Sequence, residues 1–202
     1  MNFNAKEFDI LKEIGNIGAG NAVTALAKLL QKKVDMQVPV INLVEFKDIA
    51  SFLGGPEQIV VGILVQISGD IEGMMMFLVQ EDSADVLIRA LMNGLSAEKR
   101  ESGFTEIELS ALQEIGNILT SSYLGSLAGL IQKKIVPSIP FLSIDMANAI
   151  LSVPAIEFGK VADKALFIES VFEADGVSVS GYFLLIPDIS SLRVILTSLG
   201  VE

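Results

Sequence analysis

The chain has 202 residues, of which 51% are hydrophobic, and a formal net charge of −11. It can therefore bury a substantial core, and its acidic balance argues against nucleic acid and anionic membrane surfaces as partners. Cysteine, histidine and tryptophan are absent, which excludes disulfides, Cys/His zinc sites and catalysis by Ser-His-Asp or Cys-His groups. The N-terminus is unlike a signal peptide and the apolar runs are strand-length, so we expect a soluble, cytoplasmic protein.

The predicted elements begin with a long amphipathic helix over 5–32, whose apolar residues recur at the helical period. A strand with a proline near its start, a short helix, two strands joined by a turn and a closing helix follow, over 38–46, 47–54, 58–69, 71–80 and 81–94. The same order of elements then returns, over 106–133, 139–147, 145–152, 164–174, 177–187 and 188–200.

The second half of the chain is a copy of the first. Residues 11–41 and 112–142 align without a gap, at a constant offset of 101, and are identical at 13 of 31 positions. This period is much longer than that of a solenoid repeat. The pattern therefore indicates an internal duplication that gives two pseudo-symmetric halves.

The arrangement of these elements predicts an α+β fold with an internal pseudo-two-fold duplication. We expect a mainly antiparallel sheet of about six strands, with the two long helices on its outside. We predict a single domain over 1–202, made of repeats 1–98 and 104–202 that meet at the polar, turn-rich segment 95–104. A shared sheet is favoured over two separate domains because three short strands alone make a small core.

Each long helix carries a glutamate and an asparagine three residues apart, and hence on one helix face. The two copies of the polar pattern are Asp9, Glu13 and Asn16, and Ser110, Glu114 and Asn117, followed 23 residues after the asparagine by Pro39 or Pro140. Ordinary solvent-facing residues would explain one occurrence. However, much of the helix surface has changed between the copies, as at Lys28 and Gly129, whereas this group is retained.

A glycine lies between the glutamate and the asparagine in both copies, at Gly15 and Gly116. Glycine weakens a helix interior by roughly 1 kcal/mol relative to alanine, and asparagine is also a poor helix former. We interpret the retained glycines as positions where the backbone of a partner approaches closely, and the asparagines as having a polar task.

Glutamate and asparagine without histidine suit only some chemistry. A carboxamide both donates and accepts hydrogen bonds, so it can orient a water molecule, and a carboxylate can hold a lysine or polarise that water. These abilities suit phosphoryl hydrolysis, where positioning and electrostatics matter more than covalent chemistry. A catalytic metal would have to come from the substrate protein. Paired-carboxylate glycosidase chemistry fits poorly, because Glu13 and Glu114 belong to separate copies.

At these residues the sequence resembles the CheC/CheX/FliY family of chemotaxis phosphatases. The segments "EIGNIGAGNA" and "EIGNI" carry the resemblance, which spans both halves. It implies that the substrate is the phosphorylated response regulator CheY. Asn16 and Asn117 would position the water that attacks the aspartyl phosphate, and Glu13 and Glu114 would engage the active-site lysine of CheY. Mg²⁺ would be held by CheY, so this chain would bind no cofactor itself.

The resemblance also implies contact residues. Asp9, Ser110 and Gly20 would contact CheY, the glycine by leaving room one turn beyond Asn16. Members of the family bind CheD, a deamidase of chemoreceptors, and that contact would use the short helix of the second half, starting near Asp145. From the residues alone, a plain capping role for Asp145 is an equally good interpretation.

Two other functions compete with the phosphatase hypothesis. A non-catalytic binding module is the first, because the related middle domain of the flagellar switch protein FliM lacks the Glu/Asn pairs and works by binding. The retained pairs argue against it here. Small-molecule binding at Met74–Met76 is the second, but a methionine-rich strand is usually core packing.

Overall fold

The computed structural model describes residues 5–37, 39–92, 103–158, 164–174 and 177–200. In chain order the elements are α1 (Ala5–Leu30), β1 (Val34–Met36), β2 (Val40–Glu45), α2 (Phe46–Phe52), β3 (Ile59–Gly69), β4 (Gly73–Gln80), α3 (Glu81–Leu91), α4 (Glu106–Ile131), β5 (Ile135–Pro137), β6 (Phe141–Met146), α5 (Ala147–Phe158), β7 (Lys164–Ala174), β8 (Val177–Pro187) and α6 (Ile189–Ser198). Within these ranges, no helix combines the length and the apolar character that crossing a membrane requires.

The strands form one antiparallel sheet in which the two halves exchange their outer strands. The counterpart strands β4 and β8 pair at the centre, and the hairpins β3–β4 and β7–β8 extend the sheet on either side. Strand β2 of the first half pairs with β7 of the second, with Ile41 opposite Ile168. Strand β6 pairs with β3 in the equivalent way, with Leu142 opposite Ile63. The α+β prediction with a pseudo-two-fold repeat is therefore confirmed.

The described sheet has eight strands where about six were predicted, because a short strand that was not predicted, β1 or β5, precedes Pro39 or Pro140 in each half. Strands β1 and β2 both pair with β7 on either side of Pro39, which has no N–H to donate to the ladder. The N–H of Gln37 continues the pairing by donating to the carbonyl of Val171 at 3.1 Å. Strands β5 and β6 flank Pro140 in the same way on β3.

The predicted end of the short helix in the second half is wrong, and the predicted junction between the halves is not tested. Helix α5 runs to Phe158, beyond the predicted end at 152, and it continues through Pro154. Ile150, Leu151 and Pro154 are buried, so packing on the sheet outweighs the backbone hydrogen bond that the proline removes. The predicted junction at 95–104 lies almost entirely outside the described residues, and the boundaries of the two repeats stay a prediction.

Helices cover both faces of the sheet and define two cores. On one face, α1 and α4 pack with α3 and α6 over Met75, Phe77 and Val79 of β4. On the other face, α2 and α5 pack over Met74, Met76 and Leu78. The methionines are thus core residues, each at most 2% exposed, and they do not form a binding surface.

The glycines between the glutamates and the asparagines face the protein interior. A Cβ at Gly15 would overlap the side chain of Ile41, and one at Gly116 would overlap Ile63. A Cβ at Gly18 would overlap the fully buried ring of Tyr123, where α1 packs on α4. The interpretation that a partner's backbone approaches Gly15 and Gly116 is therefore wrong, because these positions hold the helices close to their own sheet.

A substitution at the contact between the two long helices tests this packing. We expect Gly18→Ala to lower the free energy of unfolding by about 1–2 kcal/mol, because the buried ring of Tyr123 has little room to move. Gly129→Ala is the matched control in α4, since no atom lies within 4 Å of its new methyl group. This control should raise the free energy of unfolding by up to about 1 kcal/mol. Urea denaturation measures both, and equal effects would contradict the packing role of Gly18.

Candidate active site on the two long helices

Each long helix presents one polar stripe to solvent. Residues spaced three or four apart share a helix face, and the two stripes are Asp9, Glu13, Asn16 and Gly20 on α1, and Ser110, Glu114, Asn117 and Ser121 on α4. In both stripes the first two residues are exposed and the last two are half-buried. The neighbouring Ile14 and Ile115 are buried in the core. The structure thus places both glutamates on the exposed surface and both asparagines half-buried beside them, although Oδ1 of Asn16 is itself buried.

The start of α4 is fixed by a capping box one turn before its stripe. The hydroxyl of Thr105 accepts a hydrogen bond from the N–H of Glu108 at 3.3 Å, and the Glu108 carboxylate accepts from the N–H of Thr105 at 2.8 Å. Such a reciprocal pair satisfies two of the helix's free donors. It therefore fixes the residue at which α4 begins, and with it the helix face on which Ser110, Glu114 and Asn117 lie.

The proline that ends the sequence pattern lies beside the stripe of the second copy. The side-chain amide of Gln113 donates to the carbonyl of Pro140 at 2.9 Å. Gln113 precedes Glu114 on α4, so the segment before β6 is tied to the turn of the helix that carries this glutamate. The equivalent position in α1 is Lys12, whose ammonium lies 4.6 Å from the ring centroid of Phe8. The residue that ties the proline segment to α4 in the second copy thus corresponds to one that contacts its own helix in the first.

The two asparagines differ in their hydrogen bonds. The Oδ1 of Asn16 is buried and has no partner. The Oδ1 of Asn117 accepts a hydrogen bond from the hydroxyl of Ser121 at 3.4 Å. A buried polar atom without a partner costs about 1–3 kcal/mol. No group of the described protein thus satisfies the Oδ1 of Asn16, and a buried polar atom of this kind is a candidate for contact with a ligand or partner.

Sequence reasoning missed Gln113 and Ser121. The signal for Ser121 was present, because it lies four residues after Asn117 and replaces Gly20 of the first copy. The contact of Gln113 with Pro140 carried no signal, since it joins residues 27 apart through the fold.

Asp145 lies far from the two stripes in the fold, at the end of β6 beside α5. Its exposed carboxylate accepts from the N–H of Met146 at 2.7 Å. The first two N–H groups of α5, those of Ala147 and Asn148, donate instead to the carbonyls of Gln58 and Pro56, at 2.8 and 3.0 Å. The loop before β3 thus satisfies these donors of α5, and Asp145 does not cap them.

The chemistry available at each stripe is that of one carboxylate and one carboxamide. In the described parts of the chain, no group of three or more acidic side chains is placed to hold a metal ion. The carboxylates of Glu13 and Glu114 can bind a cation of a partner, and the carboxamides of Asn16 and Asn117 can orient a water molecule. Each stripe can therefore complete an active site on another molecule.

Comparisons with known proteins agree with this architecture. In solved structures the fold matches FliY of Thermotoga maritima, with a TM-score of 0.76 and 24% identity over 98% of each chain. It also matches the FliM middle domain of H. pylori, with a TM-score of 0.69 and 14% identity over 97% of this chain and 99% of that one. The class is thus that of the FliY and FliM middle-domain fold.

The sequence places the chain within this class. The model of the CheC-like family matches residues 7–43 and 107–144, the two segments that carry the repeated pattern. The chain is 34% identical to the CheY-P phosphatase CheC of Bacillus subtilis, over 98% of this chain and 95% of that protein. The chain belongs to the CheC-like family.

Replacing each asparagine by leucine tests whether Asn16 is retained against stability. We expect Asn16→Leu to raise the free energy of unfolding by about 1–2 kcal/mol more than Asn117→Leu, because only Asn16 has a buried oxygen without a partner. The two changes gain the same helix propensity, so the difference between them isolates the hydrogen-bond term. Chemical denaturation of both variants measures it, and equal gains would contradict the assignment.

Proposed function

We propose that this protein hydrolyses the aspartyl phosphate of phosphorylated CheY in the cytoplasm, at two equivalent sites on α1 and α4. The observation that carries the proposal is the duplicated, outward-facing Glu/Asn pair on two helices of equal exposure pattern. A relative that is 34% identical along nearly its whole length is named a CheY-P phosphatase. The absence of histidine and cysteine excludes phosphohistidine and phosphocysteine intermediates, and we take water as the attacking group because a carboxamide can orient it.

In the proposed reaction each asparagine orients the attacking water. The carboxamides of Asn16 and Asn117 hold a water molecule in line with the phosphorus–oxygen bond, which lowers the entropic part of the barrier. Glu13 and Glu114 engage the active-site lysine of CheY one turn earlier on the helix. Mg²⁺ would be held by CheY, where it would offset the negative charge of the phosphoryl group.

Contacts around the pairs dock the helix onto the substrate protein. Asp9 and Ser110 lie one turn before the glutamates and are exposed. Gly20 lies one turn beyond Asn16, with no atom within 4 Å of the position of a Cβ. The open surface at Gly20 lets the backbone of CheY approach α1 without displacing a side chain.

Asparagine substitutions test the catalytic assignment. We expect Asn16→Ala and Asn117→Ala each to leave part of the acceleration, and the double variant to release phosphate from CheY no faster than CheY alone. Phosphate release is measured with phosphorylated CheY and Mg²⁺ in excess over the protein. Lys28→Ala, on the exposed surface of α1 away from the stripe, is the control and should equal the wild type.

The outcome separates catalysis from binding. A double variant as active as the wild type would show that the asparagines are not catalytic. A wild-type protein that binds phosphorylated CheY without accelerating phosphate release would instead support the alternative, a binding module like the FliM middle domain.

We propose a second partner, the deamidase CheD, at the α5 surface. Asp145 is exposed, and two apolar residues of α5 are also exposed, Val153 at 46% and Ile156 at 74%. Exposed apolar residues suit the centre of a protein interface, and a neighbouring carboxylate suits its polar rim. Since α5 covers the sheet face opposite to α1 and α4, CheD and CheY would occupy separate surfaces.

Substitutions at this surface test the CheD contact. We expect Ile156→Asp and Asp145→Ala each to weaken CheD binding at least about tenfold, as expected for residues at the centre of an interface. Phosphatase activity in the absence of CheD should not change. Val40→Asp, at another apolar position, 53% exposed on β2, is the control. Isothermal titration calorimetry measures the affinity, and unchanged binding in both test variants would rule out this surface.

A further inference from the structure

The two stripes differ at the position four residues after the asparagine. In α4 this position is Ser121, whose hydroxyl donates to Oδ1 of Asn117 at 3.4 Å. In α1 it is Gly20, and Oδ1 of Asn16 is buried without a partner. The two asparagines are therefore chemically identical but differently restrained.

A second hydroxyl of α4 lies near the backbone of Asn117. Thr120 is fully buried, and its hydroxyl lies 2.7 Å from the backbone carbonyl of Gly116 and 3.3 Å from that of Asn117. The residue at the equivalent position in α1 is Ala19, which offers no donor. In α4, hydroxyl groups thus contact both the backbone and the side chain of the asparagine, whereas in α1 neither contact exists.

We infer that Ser121 is a positioning residue for the second site, which fixes the carboxamide of Asn117 before the substrate binds, and that the first site lacks this device. The inference rests on the proposed phosphatase function, and it extends that function to a residue outside the Glu/Asn pairs. A terminal amide torsion has a broad, roughly two-fold energy profile. A hydrogen bond to one end of the amide therefore selects one orientation of the group that orients water.

The consequence concerns the rate of the chemical step and not the affinity for the substrate. An asparagine that is already oriented loses less entropy in the transition state, so kcat rises while KM is unaffected. The hydrogen bond is neutral and long, so its contribution lies at the low end for such bonds, about two- to threefold in rate.

The experiment isolates one site at a time. In an Asn16→Ala background, only the second site works, and Ser121 is compared with Ser121→Ala and Ser121→Thr. We expect Ser121→Ala to lower kcat about two- to threefold at unchanged KM, and Ser121→Thr to retain the kcat of serine because it keeps the hydroxyl. Equal kcat for serine and alanine, or an effect on KM alone, would overturn the inference.

The reciprocal experiment introduces the missing hydroxyl into the first site. In an Asn117→Ala background, Gly20→Ser is compared with Gly20→Ala, so that any obstruction of CheY by the new Cβ affects both variants equally. No atom lies within 4 Å of this Cβ, so both side chains fit. We expect the serine variant to exceed the alanine variant in kcat by the same two- to threefold. A ratio of one would overturn the claim that the missing hydroxyl leaves Asn16 unrestrained.

A measurement on the free protein keeps this inference separate from the proposed function. NMR relaxation of the side-chain amide groups should show Asn117 more ordered than Asn16, and Ser121→Ala should abolish the difference. Equal order of the two amides in the wild type would overturn the inference. The proposed function fails on a different result, namely full activity of the Asn16→Ala, Asn117→Ala double variant.

Discussion

Each long helix rests on strands from both halves of the chain, because β2 and β6 cross over to pair with β7 and β3. A Cβ at Gly15 of α1 would meet Ile41 of the first half and also approach Ile168 of the second. The part of the sheet on which α1 packs, which we call the platform, therefore exists only when the two halves have folded together. Since the outward direction of the polar stripe follows from how the helix lies on this platform, the geometry of each site depends on the exchange of strands.

The glycines of α1 show how one helix both packs on the platform and carries the candidate site. Gly15 and Gly18 bring α1 close to the sheet and to Tyr123, so their cost in helix stability is offset by packing. Gly20 lies on the outer stripe with open space around it, so packing within the described chain does not require a glycine there. Residues of one type, within six positions, thus allow close packing on the inner side of α1 and leave open space on its outer side.

Duplication has preserved the Glu/Asn pairs and varied their surroundings. The Glu/Asn pairs have the same exposure in both copies, yet Gln113 and Ser121 of the second copy correspond to Lys12 and Gly20 of the first. The helices on the opposite face have also diverged, since α2 has 7 residues and α5 has 12. The second copy thus has the longer helix, which carries exposed apolar residues on a face of the sheet separate from the stripes.

The sequence by itself determined the duplication, the two long helices and the placement of each glutamate and asparagine on one helix face. These features follow from local geometry, because a spacing of three or four residues fixes a helix face regardless of the rest of the fold. The tertiary structure decided which strands pair, why Gly15 and Gly116 are glycine, and how Gln113 reaches the carbonyl of Pro140. Each of these depends on contacts between residues distant in the chain or on the direction of a side chain, and the order of residues along one element specifies neither.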